Sequence, residues 1–351
     1  MITDQARERF AAFADHVRGL RGQGRWLVLM HDNPDPDALA AAALLARVLR
    51  GAFRKRVTIA HGGIIGRAEN QELVRALGMR LSHVRKLAWK KHRHVALVDT
   101  QPRTGNNQLP ESSTPDLVID HHPLRKASQA APLVDVRTGY GATATICAEY
   151  LLLSGLERPS RRLATALVYA LRSETQDFSR GASQGPDKDI YDAFLPFADK
   201  RLLAKILYPR LPLSYFANLR EGLQNLMNVG NLIVSHLGTL EQPDIVPEIA
   251  DLLLRMEGKT WSLATGVHGD RVYLSIRTSN PRADAGRLMR RILGRRGKGG
   301  GHGMMAGGWV PVAKAPAGDV LALQHQLAAR LATLLGKNPE RLDRLDLDGP
   351  A

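Results

Sequence analysis

The stretch His31-Asp32-Asn33-Pro34-Asp35-Pro36-Asp37 decides how the rest of the chain is read. It follows the apolar run Trp26-Leu27-Val28-Leu29-Met30, which predicts a short buried strand. It precedes Ala38 to Leu49, an alanine- and leucine-rich run that predicts a helix. Two prolines and an asparagine stiffen the turn between them. A strand therefore ends in one imidazole and three carboxylates, which such a turn can aim at one point. Alone, an Asx-Pro turn is equally well a solvated acidic loop. A calcium loop starting at Asn33 is excluded, because Ala38 stands where glycine is needed and Leu44 where a bidentate glutamate is needed.

Two later apolar runs repeat the arrangement. His94-Val95-Ala96-Leu97-Val98 leads to Asp99, and Leu117-Val118-Ile119 leads to Asp120-His121-His122. Strands alternating with helices at this spacing predict an α/β fold with an open, mostly parallel sheet and flanking helices. In such sheets the site lies beyond the carboxyl ends of the strands. His31, Asp35, Asp37, Asp99 and the Asp120-His121-His122 cluster all fall at that edge. Carboxylates with neutral imidazoles suit Mn²⁺, Mg²⁺ or Zn²⁺. Six candidate ligands are too many for one ion and about right for two. Asp99 is the natural carboxylate to bridge them. Two ions roughly 3.5–4 Å apart would hold a hydroxide and phosphoryl oxygens for in-line displacement. The chemistry this pattern predicts is phosphoester hydrolysis.

The remaining sequence sets bounds. The chain has 351 residues, 44% of them hydrophobic, enough for two cores. Its one cysteine, Cys147, excludes an intramolecular disulfide and a Cys-rich zinc site. The charged, polar N-terminus lacks a signal-peptide layout, and no apolar run reaches bilayer length. A cytoplasmic protein with no membrane partner is expected. A formal charge of +15 predicts attraction to polyanions, although an Arg-rich proteome would produce the same excess. Aromatics at 5% argue against an extended base-stacking platform.

A second α/β pattern begins near Gly230, after helical material broken at Pro196, Pro209 and Pro212. Within it, Gly299 to Gly308 reads as a glycine loop around His302, whose backbone amides could nest an anion. Arg277, Arg282, Arg287, Arg290, Arg291, Arg295, Arg296 and Lys298 crowd the approach to it. Their two readings are a phosphate grip and a scatter of solvated surface charge.

The run His31-x-Asn33-Pro34-Asp35-x-Asp37-Ala38, then Asp99, then Asp120-His121-His122, resembles the signature of the DHH phosphoesterase superfamily. Gly299-Gly300-Gly301-His302-Gly303 resembles the glycine-histidine motif of its DHH-associated C-terminal domain. The order and spacing are most similar to the nano-RNase/pAp-phosphatase branch. The resemblance implies a DHH domain at 1–190, a helical linker at 191–229 and a smaller α/β substrate-binding domain at 230–336; the charged tail at 337–351 is expected to fray. It implies two divalent ions, Mn²⁺ first and Mg²⁺ or Co²⁺ as substitutes. His31 and Asp35 would hold one ion and Asp37 and His121 the other, with Asp99 shared. Asp120 would orient a ligand, and His122 would sit near the phosphate as donor or general acid. Arg277, Gly299, Gly300, Gly301 and His302 would hold the distal part of a short RNA, a dinucleotide or a mononucleotide. A homodimer is compatible with the branch. One position departs from the pattern: Glu174 stands where the family has aspartate, in Arg172-Ser173-Glu174-Thr175-Gln176-Asp177. The extra methylene moves the carboxylate, so either the backbone adjusts, the second ion binds weakly, or Asp177 takes over. The rival to an enzyme is a nucleotide or RNA sensor with a degenerate metal site.

Overall fold

A computed structural model of the chain describes residues 2–20, 24–156, 159–178 and 185–346. The chain divides into two compact units, one ending at Pro209 and one starting at Arg210.

The first unit runs α1 (Asp4–Gly19), β1 (Arg25–Leu29), α2 (Pro36–Gly51), β2 (Val57–His61), α3 (Ala68–Leu77), β3 (Leu81–His83), β4 (His92–Val98), β5 (Leu117–Asp120) and β6 (Leu133–Val136). It continues with α4 (Thr143–Leu153), α5 (Arg161–Thr175), α6 (Pro186–Phe194) and α7 (Lys200–Leu207). The six strands form one parallel sheet in the order β3-β2-β1-β4-β5-β6. Alternation along β1 divides the two faces. Trp26, Val28 and Met30 pack among the helices, while Leu27 and Leu29 pack with Leu97, Val118 and Val84 on the other side. Asp35 caps α2 by accepting from the Ala38 amide at 3.0 Å, and Pro36 occupies the first turn. Most of α2 is buried. Its small alanines let α4 and α5 approach closely.

The second unit contains α8 (Leu213–Gln224), β7 (Met227–Val229), β8 (Leu232–Thr239), α9 (Ile245–Leu253), β9 (Trp261–His268), β10 (Arg271–Thr278) and α10 (Ala285–Leu293). It ends with β11 (Lys298–His302), β12 (Met305–Pro311), α11 (Val320–Leu334) and β13 (Asp343–Arg344). Its seven strands are ordered β11-β12-β10-β9-β8-β7-β13, with β8 and β9 parallel and the other pairs antiparallel. The stretch expected as a linker divides at Pro209. Ile206 of α7 joins the core of the first unit, and Leu219 and Leu223 of α8 join that of the second.

Two expectations need correcting here. The glycine loop is a β-hairpin at the sheet edge, because α10 lies directly on it. A Cβ on Gly299 would meet Leu293 at 2.6 Å, and one on Gly286 would collide with the Gly301 carbonyl. The charged tail does not fray throughout. β13 pairs with β7, and the Leu345 amide donates to the Leu226 carbonyl at 2.8 Å. Among the described residues, no helix is long and apolar enough to cross a membrane.

Candidate metal centre

The carboxyl ends of β1, β4 and β5 bring their polar residues together. His31 Nδ1 donates to the Asp32 carbonyl at 2.8 Å, which turns Nε2 toward Asp99 Oδ2 at 3.5 Å and Asp35 Oδ1 at 3.8 Å. His121 repeats the device. Its Nδ1 donates to the Tyr140 carbonyl at 3.2 Å, and its Nε2 faces Asp99 Oδ1 at 3.7 Å and Asp37 Oδ2 at 3.8 Å. A carbonyl only accepts, so each contact fixes the tautomer that offers Nε2 to a cation.

Asp99 sits at the middle of the cluster. Its backbone is left-handed, with φ 59°, a conformation that carries strain for a residue with a Cβ. Its amide donates to the Ile119 carbonyl at 3.0 Å, and its Oδ1 accepts from the Thr143 hydroxyl at 2.9 Å. The ligand atoms of His31, Asp35 and Asp99 lie within 4.8 Å of one another, and so do those of Asp99, His121 and His122. Asp99 is common to both groups.

Asp37 and Asp120 brace this arrangement. Asp37 is buried and accepts from the amides of Thr143 at 2.8 Å and Ala144 at 2.7 Å. The N-terminus of α4 thus grips a carboxylate. Asp120 accepts from the His121 amide at 2.8 Å, the His122 amide at 3.2 Å and the Gln101 side chain at 2.7 Å. Its Oδ1 also lies 2.9 Å from His122 Nδ1. Gln101 is fixed in turn by the Arg125 amide at 2.7 Å and the Ser128 hydroxyl at 2.8 Å.

Charge in the cluster is unbalanced. Among the described residues, no Lys or Arg forms an ion pair with Asp35, Asp37 or Asp99. Burial disfavours a proton on His31, but Asp35 and Asp99 outweigh it and raise its pKa well above the ordinary value. Burial, then the charges of Asp99, Asp35 and Glu174, push the Asp37 carboxyl well up. Asp35 resists its own burial through His31 and falls to about 2. The hydrogen bond to Asp120, against burial, and the charges of Asp99, Asp120 and Glu174 raise His122 to about 9. The cluster is short of positive charge, and its donors are carboxylate oxygens and imidazole nitrogens. That donor set fits Mn²⁺, Mg²⁺ or Zn²⁺.

The remaining predicted residues fall as follows. Glu174 is half-buried near the end of α5, and its charge acts on Asp37 and His122, so it borders the cluster without joining either ligand group. Asp177 is exposed and paired with Arg172 Nε at 2.6 Å, an arrangement that does not favour its replacing Glu174. Arg277 donates to Asp251 at 2.6 Å, to the Ser275 hydroxyl at 2.8 Å and to the Ile276 carbonyl at 3.0 Å. Gly299, Gly300 and Gly301 lie in β11, and the side chain of His302 lies outside the described residues. Sequence reasoning missed Gln101, Tyr140 and the Thr143 hydroxyl. The helix start at Gly141 to Thr145 does mark amides that can face a site, and those of Thr143 and Ala144 meet Asp37, whereas the Tyr140 contact is made by a carbonyl that every residue carries.

The DHH family, N-terminal domain matches residues 25–171, and the DHHA1 domain matches residues 230–328. An uncharacterized protein of Methanocaldococcus jannaschii is 34% identical over 288 residues, 82% of this chain and 58% of its own length. The chain therefore spans under two thirds of that relative. An exopolyphosphatase-related protein from Bacteroides fragilis superposes with a TM-score of 0.67 at 15% identity, covering 95% of this chain and 100% of the other. RecJ from Thermus thermophilus, in complex with Mn²⁺, superposes with a TM-score of 0.55 at 16% identity, covering 98% of this chain and 56% of RecJ. At these identities the two structures share the fold. With both domains matched in the order the motifs predict, the chain belongs to the DHH superfamily.

Proposed function

We propose that the chain is a divalent-metal-dependent phosphoesterase acting on small nucleotides. The observation that carries this reading is Asp99, which belongs to two ligand groups at once. His31, Asp35 and Asp99 would hold one ion, and Asp99, His121 and Asp37 the other, with Glu174 beside them. Such ions supply positive charge to phosphoryl oxygens and lower the pKa of water.

The chain's own residues supply the rest. His122 is half-exposed and hydrogen-bonded to Asp120, so it carries a proton at neutral pH. It donates that proton to the leaving oxygen as general acid. Asp120 aims His122 and keeps it charged, and Gln101 holds Asp120 in place. In the second unit, Gly299 to Gly301 and His302 bind the distal part of the substrate. Arg277 contributes only if phosphate displaces Asp251. The substrates are short RNA oligomers, linear dinucleotides such as pGpG and pApA, and 3′-phosphoadenosine 5′-phosphate.

The test is hydrolysis with Mn²⁺ across those substrates and pyrophosphate, with wild type beside Asp99→Ala and Glu174→Asp. Turnover of at least one nucleotide, lost in Asp99→Ala, is expected. A faster Glu174→Asp variant would mean that the longer side chain weakens the second ion. Undiminished nucleotide binding without turnover would leave a sensor in place of the enzyme.

A further inference from the structure

The amino ends of the parallel strands carry the opposite charge to the carboxyl ends. Arg25 opens β1, Arg56 directly precedes β2, and Lys90, Lys91 and Arg93 surround the start of β4. These are adjacent strands in the order β2-β1-β4. Arg25 registers with His92, and the Trp26 amide donates to the Arg56 carbonyl at 2.7 Å. Arg54 completes the group. All six side chains are exposed. Among the described residues none of the six forms an ion pair. Residues 38–68 and 73–98 contain no Asp or Glu. The nearby carboxylate of Asp116 is occupied by His94 at 3.0 Å and the Val95 amide at 2.8 Å. Besides burial, Arg25 contributes to the lowered pKa of His92, so the positive field is felt within the patch.

From this placement we infer a second anion-binding surface on the first unit, which takes the phosphate backbone of single-stranded RNA. It lies at the far end of the sheet from Asp99, and strands of five to seven residues set the two about 15–20 Å apart. Four of the six cations are arginines, and Arg25, Arg56 and Arg93 stand on or directly before neighbouring strands, where their planar forks can pair with phosphate oxygens. Strands about 4.8 Å apart present them as a row, which a chain of phosphates can follow. The only aromatic in the 84–93 turn is Trp89, and it packs under the sheet. Recognition is therefore of backbone charge, independent of sequence. A lipid surface fits less well, because none of the exposed large apolar side chains lies among residues 25, 54–56 or 88–93.

The inference stands apart from the phosphoesterase reading, and its test reads binding alone. Full-length protein in EDTA is titrated into labelled single-stranded RNA of about 25 nucleotides and followed by anisotropy, at several salt concentrations. Six contacts predict a slope of log K against log[salt] of about −4. Lys90→Gln/Lys91→Gln/Arg93→Gln should flatten the slope by about 2 and weaken binding about tenfold or more. Arg54→Gln/Arg56→Gln should flatten it by about 1, an independent check if the first variant folds poorly. Arg287→Gln/Arg290→Gln/Arg291→Gln on α10 should leave the slope unchanged. Overturning results are absence of RNA binding, loss only in the α10 variant, or RNA displaced by phosphatidylglycerol vesicles that the patch variants no longer bind.

Discussion

The first unit holds two buried acidic clusters, and they are neutralised in opposite ways. In one, Arg137 donates to both oxygens of Asp135 at 2.8 and 2.6 Å and to Glu149 at 2.6 Å. The Tyr150 hydroxyl adds a bond to Asp135 at 2.8 Å. In the other, Asp35, Asp37 and Asp99 have only histidines as cationic partners among the described residues. An acidic cluster that contains its own guanidinium is complete once folded. One that leaves carboxylates facing imidazoles needs charge from outside. The complete cluster also braces the incomplete one: Arg137 holds the Tyr140 hydroxyl at 3.0 Å, and the Tyr140 carbonyl orients His121.

This contrast is broken most directly at Arg137. Replacing it by Met leaves Glu149 buried without a counter-charge and Asp135 with only the distant Arg9 guanidinium at 4.0 Å. Losing one partner of a buried pair costs about 3–5 kcal/mol. For a unit of this size the melting temperature should fall by roughly 10 °C, equally in EDTA and in Mn²⁺. An unchanged melt would mean that the guanidinium is not what completes this cluster.

The metal centre predicts the opposite sign. Asp99→Asn removes one of several crowded carboxylates, so the metal-free protein should melt at a higher temperature than wild type. The same variant should lose most of the Mn²⁺-induced stabilisation, which in wild type is about 2.7 kcal/mol at a hundredfold excess over Kd. A variant less stable than wild type in EDTA would show that Asp99 is satisfied without an ion, and the two clusters would cease to differ in kind.

How far the sequence shows this contrast depends on the link considered. The strands ending at His31, Asp99 and Asp120 were legible because apolar runs bounded by turn residues specify buried parallel strands. The candidate ligands His31, Asp35, Asp37, Asp99 and His121 were legible because they follow the ends of β1, β4 and β5, whereas Glu174, near the end of α5, was legible only through the resemblance. The Arg137 cluster was not, since its bonds to α4 join residues 12 and 15 positions apart on different elements and carry no motif. The hairpin at Gly299 to Gly308 was missed for another reason. Glycines that admit an anion and glycines that admit a helix are the same residue, and only the position of α10 tells them apart.

The smallest effect sharpens the comparison through pH. His122 is raised to about 9 in the folded protein, above its ordinary 6.5. A raised histidine stabilises the fold through its bound proton. That contribution is complete below pH 6.5 and is lost as the pH climbs through 9. Solvent reaches about half of this side chain, so the loss is smaller than either effect above. Arg137 adds no slope in this window, because a guanidinium stays charged throughout. Melting temperature in EDTA should therefore decline from pH 6.5 to 9, and His122→Asn should flatten the decline. Mn²⁺ should lessen the decline in part, because a divalent ion beside Asp99 offsets that carboxylate's share in raising His122 while the hydrogen bond to Asp120 remains. Equal slopes with and without the ion would mean that the imidazolium answers to Asp120 alone, and that the carboxylates around Asp99 do not call for outside charge.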